Sequence, residues 1–198
     1  MSITYPLTPP SSPQYVTQQW SIIRGVGISE SPFTGVQQTV EFDLAKWKAV
    51  LSLPPMKRSQ AHEWVSFLVK LHGRRGTFFL SDNDARAPQN SISGSVTVTN
   101  AASAGDIVLT LTGTTAFSAG DYVQIGTGAS SRLHMVVADQ SGGSTIQIEP
   151  KLKASVAQGT TITYTNPKGI FRMDSNELMW DTNAVSAYGI SFSCSEVD

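Results

Sequence analysis

A chain of 198 residues with 40% hydrophobic content can bury one sizeable core or two small ones, so a folded globular protein is expected. Only 15% of its residues are charged, well below the roughly 25% of ordinary soluble domains. The surface must therefore be built largely from Ser, Thr, Asn, Gln and backbone, which suits a β-rich protein in an assembly. A formal net charge of −1 gives no field for gathering phosphates, which excludes nucleic-acid binding by bulk electrostatics.

The start, Met1 to Pro6, lacks the basic and apolar regions of a signal peptide, and no apolar stretch approaches the ~20 residues of a membrane-spanning helix. A soluble protein made in the cytoplasm, without membrane insertion, is the expectation. Pro6, Pro9, Pro10 and Pro13 remove donors and fix φ, so residues 1–14 read as an extended arm, either frayed or lying on a neighbouring subunit. Three strands follow by alternation: Trp20 to Arg24, then Val36 to Phe42 with Val36, Gln38, Val40 and Phe42 on one face, then Trp47 to Leu53 with Trp47, Ala49, Leu51 and Leu53 aligned. Pro54 and Pro55 end the third.

Ala61, Trp64, Val65, Leu68 and Leu71 recur at helical spacing, which predicts a helix from Ser59 to His72, capped by Ser59 and stopped by Gly73. Phe78-Phe79-Leu80 returns as a strand, and Asp82-Asn83-Asp84 reads as a turn. The composition then shifts. Residues 91–166 carry only seven charged residues and no tryptophan, whereas Trp20, Trp47, Trp64 and Trp180 all lie outside. Strands are predicted there at Val96 to Thr99, Ile107 to Thr112, Tyr122 to Ile125, Leu133 to Ala138, Ile146 to Glu149 and Thr161 to Thr165. They are separated by Ser-Ala-Gly-Asp turns at Ser103 and Ser118 and by Ser141-Gly142-Gly143.

Such spacing suits a small, OB-like β-barrel. Residues 167–198 are too few to bury a core alone and are expected to complete the first domain. The predicted fold is mainly β: a discontinuous β-sandwich with one packed α-helix, residues 15–90 and 167–198, carrying an inserted small β-barrel domain, residues 91–166.

No chemistry-bearing pattern stands out. His62, His72 and His134 lack zinc-ligand spacing, and Asp82 and Asp84 lack the further ligands of a calcium loop. Gly126-Thr127-Gly128 follows a strand without a succeeding helix and reads as a hairpin loop. Glu41, Asp43, Asp174, Glu177 and Asp181 are scattered carboxylates that specify no glycosidase pair. No catalytic, metal or cofactor residue is assigned, and no cofactor is expected. Cys194 shares a strand face with Ile190 and Phe192, as a small buried hydrophobe does. The turns around Pro32 and Phe33 and around Arg74 and Arg75 are exposed rigid elements suited to contacts between subunits; solvated charge is the alternative for the arginines.

The order of the blocks Ser31-Pro32-Phe33-Thr34-Gly35-Val36-Gln37-Gln38, Leu53-Pro54-Pro55-Met56 and Gly73-Arg74-Arg75-Gly76-Thr77-Phe78-Phe79-Leu80, closed by Tyr188-Gly189-Ile190-Ser191-Phe192, resembles the distal tail proteins of long-tailed bacteriophages of the siphovirus type. The resemblance covers residues 18–90 and 168–198. It implies a non-enzymatic virion structural protein: a homo-hexameric ring at the distal end of the tail, joining the tail tube protein to the hub, tip and receptor-binding proteins. The inserted barrel would be displayed outward. No segment of these 198 residues obviously resembles the galectin-like C-terminal half of many members. A carbohydrate-binding or host-adhesion module of a tail and a tail-associated cell-wall hydrolase remain as alternatives.

Overall fold

The computed structural model describes residues 3–113, 116–140, 143–182 and 187–197. Among these the protein is mainly β, with one α-helix and two six-stranded sheets. The core sheet contains β1 (Thr17–Glu30), β2 (Gln37–Ser52), β3 (Phe78–Leu80), β10 (Gly169–Met173), β11 (Trp180–Thr182) and β12 (Tyr188–Glu196), in the order β1-β2-β12-β10-β3 with β11 paired to β12. The second, curled sheet has the order β4-β9-β6-β7-β8-β5. Its strands are β4 (Val96–Thr97), β5 (Val108–Thr110), β6 (Tyr122–Ile125), β7 (Arg132–Val136), β8 (Thr145–Glu149) and β9 (Thr161–Thr163).

Alternation along the core strands gathers one apolar face. Trp47, Ala49 and Leu51 of β2 are buried, and the register sets Ala49 beside Cys194 and Leu51 beside Phe192. The face continues through Met173, Phe171 and Phe78. Two layers cover it. At one end lies α1 (Arg58–Lys70), which buries Ala61, Trp64, Phe67 and Leu68. At the other lies the curled sheet, whose Tyr122 and Leu133 join the same core cluster. Cys194 is fully buried, its Sγ–H donating to the Ala49 carbonyl at 3.7 Å, and burial pushes the thiol pKa up.

The helix departs from the sequence expectation at its ends. Its N-cap is Lys57, which makes no side-chain cap bond, and Ser59 falls inside the first turn. The stop comes from two successive left-handed residues, His72 at φ 51° and Gly73 at φ 64°. A Cβ on Gly73 would also sit 2.9 Å from Asn176 Oδ1, so both backbone and neighbour demand glycine there.

The curled sheet bends until its end strands meet. Val98 and Leu111 form an antiparallel bridge, and Thr99 N–H and Thr112 N–H donate across the seam to the Thr110 and Thr97 carbonyls. Its own core contains Val98, Leu109, Leu111, Phe117, Val123, Val136, Ile146, Ile148 and Ile162. The two Ser-Ala-Gly-Asp turns adopt one geometry. In each, Asp accepts from the Ser backbone N–H, at 2.7 Å for Ser103 to Asp106 and 2.8 Å for Ser118 to Asp121. Gly105 and Gly120 take φ of 93° and 95°, a conformation that costs glycine least.

The segment between the sheets leaves after β3 and returns at β10, and these two strands are paired, Leu80 opposite Gly169. The two sheets nevertheless share a contact surface. Trp47 Nε1–H donates to the Leu133 carbonyl at 2.9 Å, and the Trp47 ring lies 5.7 Å from that of Tyr122. Replacing residues 91–166 by a short Gly/Ser linker is therefore expected to leave a cooperatively folded but destabilised remainder, because strands with adjacent ends accept a short connection while Trp47 and Phe171 lose part of their cover. Circular dichroism and calorimetry check this. A remainder with no cooperative transition would show that the core sheet cannot stand without the insert.

Two expectations about the first 53 residues are corrected. The segments Val36 to Phe42 and Trp47 to Leu53 are not separate strands but one, β2, whose register against β1 slips between Arg24 and Gly25 so that Asp43 and Leu44 bulge out. The N-terminal segment lies on its own chain. Leu7 bridges Phe78, donating to the Thr77 carbonyl and accepting from Phe79 N–H at 2.8 and 2.9 Å, and Tyr5 Oη–H donates to the Lys70 carbonyl at 2.8 Å. It thereby covers the β3 edge of the core sheet.

Candidate subunit interface

The edge opposite β3 belongs to β1, and no strand of the described residues pairs with its outer side. Strand β12 pairs with β2 only from Lys48 to Ser52. Beyond the bulge, Gly25–Glu30 and Gln37–Phe42 therefore form a two-stranded hairpin with no sheet neighbour on either side among the described residues. Six residues at about 3.4 Å each carry it about 20 Å outward.

Both faces of this hairpin are apolar and open. The register places Val40 and Phe42 opposite Gly27 and Gly25 on one face, where a Cβ on Gly27 would meet the Phe42 ring at 3.3 Å. Val26 and Ile28 occupy the other face, opposite Glu41 and Thr39. Val26, Ile28, Val36, Val40 and Phe42 are all at least half exposed. At the tip Ser31 N–H donates to the Val36 carbonyl and Gly35, at φ 66°, closes the turn back to Ser31. This turn lifts Pro32 and Phe33 clear of the protein, with Phe33 95% exposed.

The root of the hairpin is held. Arg24 pairs with Glu149 at 3.2 Å and Asp43 with Lys151 at 2.8 Å, so the bulged Asp43 and the β1 residue at the register slip are tied to the end of β8 and the loop after it. Further in, buried Glu196 accepts from the Trp47 backbone N–H at 3.3 Å and faces Lys153 Nζ at 3.5 Å. Burial nonetheless raises the Glu196 pKa.

Next to this junction, His134 Nδ1–H donates to the Pro150 carbonyl at 2.6 Å. A carbonyl can only accept, so Nδ1 carries the proton. Burial, with Lys153 and Arg132 nearby, lowers the His134 pKa to about 4. The unfolded imidazole takes its proton near pH 6.5, so the stability held by the neutral buried ring falls as pH drops from 6.5 toward 4, by about 3 kcal/mol in all. Glu196 works in the opposite sense, since its raised pKa returns stability as it is protonated. The contribution of His134 is isolated by His134→Asn, which keeps a donor for Pro150: between pH 6.5 and 4 the thermal midpoint of the variant is expected to lose less, relative to its value at pH 7, than that of the wild type. Equal pH slopes in the two proteins would refute it.

The second pair of expected contact residues lies elsewhere. Arg74 and Arg75 sit in the 3-10 turn Gly73–Arg75 after α1, both exposed, with the Arg74 backbone N–H donating to Asn176 Oδ1 at 3.0 Å. They are therefore not brought together with Pro32 and Phe33 in one patch. Lys57, Arg58 and Lys70 are exposed on the same helical segment, and none of these five cations is in an ion pair among the described residues.

The positions weighed for chemistry are occupied structurally. Asp82 Oδ1 accepts from Asp84 N–H at 3.0 Å as a local turn, and Gly126 starts the connection from β6 to β7. Among the described residues no group of three or more His, Cys, Asp or Glu side chains could hold a metal ion. No helix among them is long and apolar enough to cross a membrane. The open apolar hairpin is what sequence reasoning missed; the alternating Val36, Val40 and Phe42 were its signal, but alternation does not say whether a face meets the core or the outside.

Set against protein-family models and against curated proteins, the chain finds no match in either.

Proposed function

We propose that this chain is a ring-forming structural protein of a phage tail tip, joining the tail tube to the hub and receptor-binding apparatus. The observation that carries this reading is the free hairpin from Gly25 to Phe42, with open apolar side chains on both faces. A two-stranded hairpin is marginal in water by itself, and a contiguous exposed apolar surface marks a contact with another protein. Head-to-tail contacts between unlike patches close into rings when the rotation per subunit divides a full turn.

In this reading the core sheet and its helix are the ring-forming sandwich, and the curled sheet is the inserted OB-like barrel, displayed outward. The order of sequence blocks that resembles the distal tail proteins supplies the location and the six-fold number. The sugar-binding alternative gains nothing from the insert's aromatics: Phe117 and Tyr122 are buried, and Tyr164 is half-buried with its ring 6.1 Å from that of Phe117. They form no exposed array for stacking on a glycan.

Gold labelling of virions through a tag in the Ser103 to Asp106 turn tests the assignment. Label at the distal end of the tail is expected. Label on the capsid, or along the whole tube, would overturn it.

A further inference from the structure

Resting on the ring reading, we infer that the two sides of the subunit contact are the hairpin tip of one copy and, on the next copy, the groove between the N-terminal segment and α1. Three features of the structure fit these surfaces to each other. The first is shape. Phe33 is the most exposed large apolar residue of the described chain, and Pro32 before it stiffens the tip. The groove, about 370 Å3, is walled by Leu7, Pro9 and Pro10 on one side and Glu63, Ser66, Phe67 and Lys70 on the other. A cavity of about 150 Å3 takes a benzene ring, so a phenylalanine side chain has room in it.

Charge is the second. From Gly25 to Leu44 every charged residue is acidic, namely Glu30, Glu41 and Asp43. Between Lys57 and Arg75 the charges are Lys57, Arg58, Lys70, Arg74 and Arg75 against the single Glu63, and of these Lys70 and Glu63 line the groove itself. The five cations stand exposed without ion-pair partners among the described residues, and Glu30 is in no ion pair among them either, while Glu41 interacts with Lys151 near the hairpin root. Complementary potentials of this kind fix register and steer encounter.

The third is order. The groove exists only because residues 5–10 are folded onto the helix end and β3 through Leu7 and Tyr5. Its proline wall is rigid before any partner arrives, so little ordering cost falls on association. In this pairing Pro32 and Phe33 of one copy meet the groove of the next, and Arg74 and Arg75 lie in the turn that follows its Lys70.

Cross-linking with cysteine at both sites tests the pairing. Phe33→Cys combined with Ser66→Cys puts one thiol at the tip and one in the groove, while native Cys194 is fully buried. A short bismaleimide is expected to give a ladder of covalent multimers from the double variant, and no more than dimers from either single variant. An assembled double variant that yields no ladder overturns the pairing and leaves the ring standing; a wild-type chain that never assembles overturns both.

Should the cysteine variant fail to assemble, charge reversal decides. Glu30→Lys with Glu41→Lys, and Arg74→Glu with Arg75→Glu, should each weaken association about tenfold or more, and the four together should restore most of it. Absence of any such rescue, with the reversed proteins folded, overturns the pairing.

Discussion

Trp64→Ala is expected to destabilise the protein by about 3 to 5 kcal/mol. The side chain is fully buried, with its ring 5.3 Å from Tyr15 and 5.8 Å from Phe67, between the helix and the sheet. One term opposes the loss. The indole Nε1–H is buried without a hydrogen-bond partner among the described residues, and its removal recovers part of a desolvation cost of about 1 to 3 kcal/mol. The larger effect is the cavity, since a shape this size cannot be filled by relaxation of the sheet. Trp64→Phe keeps most of the volume and loses the orphan donor, so it should cost clearly less than alanine. Lys70→Ala, on the exposed side of the same helix, should stay within about 0.5 kcal/mol. Denaturant unfolding of the three variants checks the series, and equal losses at positions 64 and 70 would mean that α1 does not pack as described.

Trimming the hairpin should do the reverse, abolishing assembly while sparing the fold. Replacing residues 28–39 by Asn-Gly joins Gly27 to Val40, which already stand opposite each other, through a turn whose twist suits a hairpin. None of the removed side chains is in either core. Stability should change by no more than about 1 kcal/mol, and the variant should remain monomeric at concentrations where the full chain assembles. Loss of the cooperative transition would assign the hairpin a role in folding; unimpaired assembly would remove it from the interface.

Much of the strand layout was legible because short alternating runs between turn residues have few ways to fold. Tyr122 to Ile125 is a strand with those bounds, and both Ser-Ala-Gly-Asp segments turn because Gly supplies the positive φ and Asp accepts from the Ser N–H. The apolar stripe of α1 likewise identified its buried side through Ala61, Trp64 and Leu68. What was not legible depended on partners distant in sequence. Asp43 and Leu44 look like a break between strands, and only the register with β1 makes them a bulge inside one. Prolines 6, 9, 10 and 13 suggested an extended arm, frayed or lying on a neighbouring subunit, yet Leu7 provides both a donor and an acceptor that attach it beside β3 of the same chain. Val40 and Phe42 alternate along β2 as Trp47, Ala49 and Leu51 do, but Trp47 meets Leu133 and Tyr122 whereas Val40 and Phe42 lie past the last sheet neighbour and are exposed. The candidate contact residues Phe33 and Arg74 were visible as exposed turn residues; that they lie on separate surfaces, one acidic and one basic, required the fold.

Light scattering of the purified chain across a concentration series tests the ring most directly. Six copies of 21.2 kDa come to about 127 kDa, and the account predicts a species of that mass that appears as a closed ring in negative stain. A strict monomer of 21.2 kDa at the highest concentration, which also fails to bind isolated tail tubes, would contradict it.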